Sequence, residues 1–112
     1  MRVLVVDDEF LVVLFVSSML EDLGCEVETA LHGNEALGKL ADDPRIKLLI
    51  TDINMPGLSG YEVAERAQRM RPGLKVILLS GAETDPRGLP LIRKPFRRSD
   101  LTRVMEATTG IC

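Results

Sequence analysis

Four apolar runs in this sequence each lead, directly or after one residue, to polar residues that can carry chemistry. The runs cover residues 3–6, 46–51, 76–79 and 89–92, and the polar residues that follow them are Asp7, Asp8, Asp52, Ser80 and Lys94. Short runs rich in Val, Ile and Leu are typical of buried strands in a parallel sheet. Because open sheets of this kind bind ligands at the carboxyl ends of their strands, we expect the five side chains to meet at one sheet edge.

Predicted strands and helices alternate along the whole chain. The predicted strands are Arg2–Val6, Cys25–Thr29, Ile46–Thr51, Leu74–Leu79 and Leu89–Arg93. The predicted helices are Glu9–Leu23, Asn34–Ala41, Tyr61–Met70 and Asp100–Thr108, the last with Ser99 as its cap. Such alternation builds a parallel sheet covered by helices on both faces, and the length suits one domain, so residues 1–112 are expected to form a single α/β unit.

The connection between the last two predicted strands is unusually short. Only Gly81–Gly88 lies between them, and this segment contains two glycines and Pro86. A crossover between parallel strands normally needs about a dozen residues or more. We therefore predict at most one irregular turn here, and no full helix.

The polar residues at the predicted sheet edge suit a divalent metal and a phosphoryl group. Three carboxylates repel one another unless a cation lies among them. Asp7, Asp8 and Asp52 fit Mg²⁺, which prefers oxygen ligands, whereas a chain with a single histidine offers little to zinc. Lys94 can neutralise a phosphate oxygen, Ser80 can donate a hydrogen bond, and a carboxylate can attack phosphorus to give an aspartyl phosphate. Taken singly, each residue also fits an ordinary turn, cap or loop; the joint pattern is the specific one.

Charge and hydropathy exclude several other classes of protein. The formal net charge is −3, so nothing in the overall charge favours direct DNA binding. The longest apolar stretch of the first helix is Phe10–Val16, far shorter than the ~20 residues of a membrane span, and no signal peptide is evident. We expect a cytoplasmic protein with no membrane contact, as a monomer or weak dimer.

Four segments together resemble the response-regulator receiver domain of two-component signalling. They are Val3–Glu9 (VLVVDDE), Leu49–Gly57 (LITDINMPG), Val76–Gly81 (VILLSG) and Lys94–Phe96 (KPF). The resemblance spans the chain and implies a flavodoxin-like sheet of five parallel strands in the order 2-1-3-4-5. It also implies a partner, either a histidine kinase or a histidine phosphotransfer protein, and a protein that is not an enzyme beyond Mg²⁺-dependent self-phosphorylation and self-dephosphorylation.

The same resemblance assigns roles to individual residues. Asp52 is implied to accept the phosphoryl group. Asp8 is implied to hold Mg²⁺ directly and Asp7 partly through water, with the backbone carbonyl of Asn54 as a further ligand. Lys94 is implied to contact the phosphoryl group.

Two more implications concern the way in which the site responds. Ser80 is implied to swing toward phosphorylated Asp52, and the Lys94–Pro95 peptide bond is implied to be cis. The chain departs from the family where Leu91 stands in place of the usual aromatic, and where the helix between the last two strands has no residues to form it. We expect Gly81–Gly88 to be mobile without phosphate and ordered through Ser80 with it.

The first predicted helix is apolar on every side, so some of its side chains must face outward. They could pack deeply with a few tolerated exposures, or they could form a docking face for a kinase helix or phosphotransfer domain. For the chain as a whole, the leading expectation is a stand-alone receiver that acts as a switch, shuttle or phosphate sink. The alternatives are the receiver module of a hybrid histidine kinase, an aspartyl-phosphate phosphatase, and a receiver-like domain that binds partners without phosphate.

Overall fold

The computed structural model describes residues 1–82 and 84–110. Its strands are β1 (Arg2–Val6), β2 (Glu26–Ala30), β3 (Ile46–Asp52), β4 (Lys75–Ser80) and β5 (Leu91–Arg93). Its helices are α1 (Phe10–Asp22), α2 (Gly33–Asp42), α3 (Gly60–Met70) and α4 (Arg98–Thr109). All strand pairs are parallel and their order is β2-β1-β3-β4-β5, which confirms the predicted fold and strand order.

The sheet is buried on both faces because its strands are apolar at successive positions. In β1, Leu4 and Val6 point toward α2 and α3, while Val3 and Val5 point toward α1 and α4. Two separate apolar clusters result, one on each face of the sheet. Because both faces of the sheet are buried, its strands are continuous apolar runs in the sequence and do not alternate between apolar and polar residues.

The predicted elements are confirmed, with small differences at their ends. β5 begins two residues later than expected, at Leu91 rather than Leu89, and α4 begins two residues earlier, with Arg97 rather than the expected Ser99 as its cap. The backbone N–H of Arg97 donates to Oδ2 of Asp100, so the carboxylate of the third helical residue reaches back to the cap. The sequence expectation was wrong because a serine is a common cap, whereas here the acidic side chain fixes the start of the helix.

The connection between β4 and β5 contains no helix in its described residues. Residues 87 and 88 form a turn, and Leu89 packs against the cluster on the α2 and α3 side of the sheet. The predicted absence of a full helix is confirmed. Nowhere in residues 1–82 and 84–110 is a helix long and apolar enough to span a membrane.

Helix α1 presents an apolar surface to solvent, as its composition predicted. Its buried apolar side chains are Val13, Val16, Met19 and Leu20, and the last three belong to the apolar cluster on the α1 and α4 side of the sheet. Its exposed large side chains are Phe10, Leu11, Leu14 and Phe15. The helix therefore does not bury all of its apolar residues, and Leu11 is 78% exposed.

Candidate functional site

The three acidic residues meet at the carboxyl edge of the sheet because β1 and β3 are neighbours. Asp52 is the last residue of β3, and Asp7 directly follows β1; both side chains are buried. Asp8 is the next residue and is exposed. One carboxylate oxygen from each of the three lies within 4.8 Å of the others.

Lys94 reaches this cluster from the far side of β4. Its Nζ atom lies 2.7 Å from Oδ2 of Asp7 and 3.3 Å from Oδ1 of Asp52. Glu9 is a further acid at 3.5 Å, on the exposed side. The Lys94–Pro95 peptide bond is cis, as the resemblance implied.

Asp7 has a structural task as well as a place in the cluster. Its Oδ1 accepts a hydrogen bond of 2.9 Å from the backbone N–H of Glu9, at the start of α1, while Oδ2 accepts from Lys94. Both oxygens of this buried carboxylate are therefore partnered. The two bonds fix its orientation toward the other acids.

The electrostatics of the cluster leave negative charge uncompensated. Burial, together with the charges of Asp7 and Asp8, raises the pKa of Asp52 to about 6, against the opposing effect of Lys94. Burial also raises the pKa of Asp7, although Lys94 and the Glu9 N–H oppose it. Burial alone would lower the pKa of Lys94, but its bonds and charge interactions with the two acids outweigh that effect and raise it.

The donor set fits Mg²⁺. Three carboxylates converge with oxygens within 4.8 Å, and Lys94 is the one cation in contact with them among the described residues. Oxygen ligands with an excess of negative charge suit a hard divalent cation. Asn54 lies exposed two residues beyond Asp52 on the same loop, and its carbonyl as a ligand stays a prediction.

Ser80 ends β4 at the same edge and is fully buried. Its hydroxyl donates to the carbonyl of Ala82 at 3.0 Å and accepts from the backbone N–H of Ala82 at 3.2 Å. Among the described residues, its hydrogen bonds are therefore to its own loop and not to Asp52. The arrangement ties Ser80 to the start of the connection that leads to β5.

Gly60 is a residue of the site that the sequence reading missed. A Cβ atom on it would lie 2.1 Å from the backbone oxygen of Asp52 and 2.7 Å from the Cα of Ile53. Its N–H donates to the carbonyl of Ile53 at 2.8 Å. Only glycine allows the start of α3 to pack this closely against the end of β3. The sequence signal that could have identified Gly60 is its position at the end of the loop that follows Asp52.

A shallow groove adjoins the acidic cluster. We call it the α1 groove; it has a volume of about 540 Å³ and is lined mainly by Leu11, Val12, Phe15, Lys94, Pro95 and Phe96. The rings of Phe15 and Phe96 contact each other with centroids 5.8 Å apart, which joins α1 to the segment after β5. The apolar surface of α1 is thus continuous with the site.

Comparison with known proteins decides the family. The response regulator receiver domain family matches residues 3–106. The chain belongs to this family. Receiver domains are the phosphorylated modules of two-component signalling, and this receiver domain carries the family's fold and its acidic cluster.

Curated relatives of the receiver domain differ in how much of their length it covers. The response regulator receiver protein CpdR of Brucella abortus is 33% identical over 94% of this chain and 93% of its own. The response regulator GacA of Pseudomonas aeruginosa is 35% identical over 76% of this chain, but only 40% of GacA is covered. The fold is thus found both in proteins of this size and in parts of larger ones.

Solved structures agree closely with this receiver domain. The chemotaxis protein CheY4 of Vibrio cholerae superposes with a TM-score of 0.87 at 31% identity, covering 96% of this chain and 97% of that one. The response regulator TrrA of Thermotoga maritima, solved in complex with Mg²⁺ and BeF, gives 0.86 at 33% identity, with 95% and 96% covered. The fold assignment therefore extends over almost the whole chain.

Proposed function

We propose that this receiver domain accepts a phosphoryl group on Asp52 from a phosphorylated histidine of a histidine kinase or a phosphotransfer protein. The observation that carries the proposal is the placement of Asp52, buried at the end of β3 with Lys94 at 3.3 Å and two further carboxylates beside it. A buried carboxylate with no partner would cost free energy and would have no evident role. This one lies where a nucleophile, a cation and metal ligands converge.

The residues divide the chemistry between them. An oxygen of Asp52 attacks phosphorus, the bond from phosphorus to the histidine nitrogen breaks, and that nitrogen keeps the electron pair and takes up a proton. Lys94 neutralises charge on the transferred oxygens. Mg²⁺, held by Asp8, Asp7 and the carbonyl of Asn54, would supply the remaining positive charge.

The α1 groove supports a helical phosphodonor partner. It is apolar, it borders Lys94, and it continues into the exposed side chains Leu11, Leu14 and Phe15. A partner helix with an apolar face would bury these residues and at the same time bring its histidine to the adjoining acidic edge. This is the docking interpretation of α1, preferred because the exposed apolar face adjoins the site rather than standing apart from it.

The chain is proposed to act as a stand-alone switch, shuttle or phosphate sink in the cytoplasm. The receiver module of a hybrid histidine kinase is the second candidate, since the receiver domain of the hybrid kinase CckA is similar at 31% identity with a TM-score of 0.84. An aspartyl-phosphate phosphatase would need an acid or base beside the nucleophile, and Asn54 cannot serve as one. Turnover is therefore proposed to be limited to self-phosphorylation and self-dephosphorylation.

One assay separates these functions. The protein is incubated with acetyl phosphate with and without Mg²⁺, and both the phosphate bound to protein and the phosphate released are followed. The proposal predicts a Mg²⁺-dependent adduct that approaches one per chain and decays slowly. Rapid continuous release would support the phosphatase, and no adduct under any condition would support a domain that binds partners without phosphate.

A further inference from the structure

The connection from β4 to β5 is held at two points, one beside the phosphoacceptor site and one on α3. At the first point the hydroxyl of Ser80 bonds both backbone groups of Ala82. At the second point Tyr61, the second residue of α3, contacts residues 85 and 87. A loop without a helix of its own is thus fixed by side chains at either end.

Tyr61 makes two different contacts with this loop. Its hydroxyl donates a hydrogen bond to the backbone carbonyl of Asp85. The guanidinium carbon of Arg87 lies 3.7 Å from the centroid of its ring, a cation–π geometry. The Arg87 backbone N–H in turn donates to Oδ1 of Asp85 at 2.9 Å, so the two loop residues are also joined to each other.

The two points are close enough in the chain to act on each other. Only two residues separate Ala82 from Asp85, and each residue spans at most ~3.6 Å, so a fixed Asp85 restricts how far Ala82 can travel. Tyr61 itself follows Gly60, whose backbone packs directly against that of Asp52. The second point is therefore built on the same element that positions the phosphoacceptor.

The loop holds two features that cost free energy in its present arrangement. Arg87 has a φ of 52°, in the left-handed region that a residue with a side chain seldom adopts. The hydroxyl of Thr84 is buried, and no partner for it lies among the described residues. A segment that keeps such costs while it is fixed at both ends is suited to exchange between two arrangements.

We propose that Tyr61 and Arg87 form a positioning device that holds the loop where Ser80 is bonded to Ala82, and so opposes movement of Ser80 toward a phosphoryl group on Asp52. The inference rests on the proposed function, because it takes Asp52 as the phosphoacceptor. The described residues of this loop form no helix, and the contacts of Tyr61 and Arg87 join the loop to α3 instead. Tyr61 and Arg87 touch no reacting atom and act through Ser80.

The thermodynamic consequence has a definite sign. A phosphoryl analogue that binds the moved arrangement must first displace the held one, so its apparent affinity is its intrinsic affinity multiplied by the fraction of molecules that are free to move. Weakening the contacts of Tyr61 or Arg87 raises the fraction free to move. The analogue should then bind more tightly, although a contact has been removed.

The test measures beryllofluoride binding in the presence of Mg²⁺ by isothermal titration calorimetry. Tyr61→Phe removes the hydroxyl and keeps the ring, and Arg87→Ala removes the guanidinium while keeping a residue with a side chain at the left-handed position. Each variant is expected to bind about three- to tenfold more tightly than the wild type, the range that one hydrogen bond or one cation–π contact can supply. Arg87→Lys keeps a cation over the ring and should restore most of the wild-type affinity.

A matched control is available on the same helix. Arg69→Ala removes an exposed arginine of α3 that pairs with Glu65 and does not touch the loop, so its affinity should equal that of the wild type. Amide hydrogen exchange provides a second measurement, and residues 84–90 should exchange faster in Tyr61→Phe and Arg87→Ala without beryllofluoride. A purely structural role would loosen the loop and leave affinity unchanged or weaker.

The outcomes separate the inference from the proposed function. If the wild type binds and both loop variants bind equally well or more weakly, the positioning device is overturned while the phosphoacceptor assignment stands. If the wild type does not bind beryllofluoride with Mg²⁺, the proposed function falls and the inference falls with it. Tighter binding by both variants, with Arg69→Ala unchanged, supports the device.

Discussion

The ammonium of Lys94 lies 3.3 Å from Oδ1 of Asp52, although β4 separates the strand that ends at Asp52 from the strand that precedes Lys94. The same ammonium lies 2.7 Å from Asp7. One side chain therefore spans a neighbouring strand to neutralise two buried acids. The contact joins β5 to β1 and β3 at the edge where chemistry is proposed to occur.

Removing the positive charge of Lys94 should slow phosphorylation of Asp52. Lys94→Ala leaves the transferred oxygens without their protein cation, and loss of one such charge typically slows the chemical step about 10²-fold or more. The initial rate of adduct formation with acetyl phosphate and Mg²⁺ measures the effect. Lys47→Ala removes an exposed lysine from β3 and should leave that rate unchanged; equal rates for both variants would contradict the role of Lys94.

The raised pKa of Asp52 predicts a stability that depends on pH. The folded carboxyl keeps its proton up to about 6, against 3.8 for the ordinary group, so the native state binds more protons in that window and stability falls as pH rises through it. Asp52→Asn removes the charge and should raise the free energy of unfolding by about 1–2 kcal/mol near neutral pH in a chelator. The gain should disappear as the pH approaches the ordinary value of the carboxyl.

Urea denaturation at two pH values checks this expectation. Asp22→Asn is the control, since Asp22 is an exposed acid paired with Arg98 and should show no comparable gain. A loss of stability in Asp52→Asn near neutral pH, or a gain of the same size at both pH values, would show that Asp52 carries no uncompensated charge. Added Mg²⁺ should reduce the difference between wild type and Asp52→Asn, because the ion stabilises the charged form.

The close packing at Gly60 predicts opposite effects for two glycine substitutions. Gly60→Ala places a Cβ 2.1 Å from the Asp52 backbone oxygen and should destabilise the fold by about 1–3 kcal/mol. Gly38→Ala lies within α2 with no atom within 4 Å of the new Cβ, and it should stabilise by about 0.5–1 kcal/mol. Thermal denaturation of both variants decides the point, and a neutral Gly60→Ala would contradict the packing described.

Charge on the apolar face of α1 should separate protein partners from small phosphodonors. Leu11→Glu places a carboxylate on a residue that is 78% exposed, so the fold should tolerate it and acetyl phosphate should react at the wild-type rate. Transfer from a phosphorylated histidine protein should slow by about tenfold or more, because a charge would be buried in the complex. Met70→Glu makes the same change at an exposed apolar residue at the end of α3 and should not slow transfer; equal transfer by both variants would leave α1 as a face with no partner.

The sequence predicted most of the fold because its signals were local and agreed with one another. Apolar runs marked the strands, and because parallel sheets bind ligands at the carboxyl ends of their strands, the sequence alone predicted that Asp7, Asp52 and Lys94 lie together. The predicted cap of α4 was wrong. Ser99 is a common capping residue, but the carboxylate of Asp100 accepts a hydrogen bond from the backbone N–H of Arg97, and the helix therefore begins after Arg97. Contacts between distant side chains, such as Tyr61 with Arg87, have no local pattern and could be found only in the folded chain.

Phosphorylation of Asp52 is the step on which the proposed roles of the other site residues depend, and one experiment tests it directly. The protein is incubated with acetyl phosphate and Mg²⁺, and peptide mass spectrometry locates the adduct on the wild type and on Asp52→Asn. The account predicts a Mg²⁺-dependent phosphoryl group on the peptide that contains Asp52, absent from the variant. An adduct on another residue, or one that persists in Asp52→Asn, would contradict it.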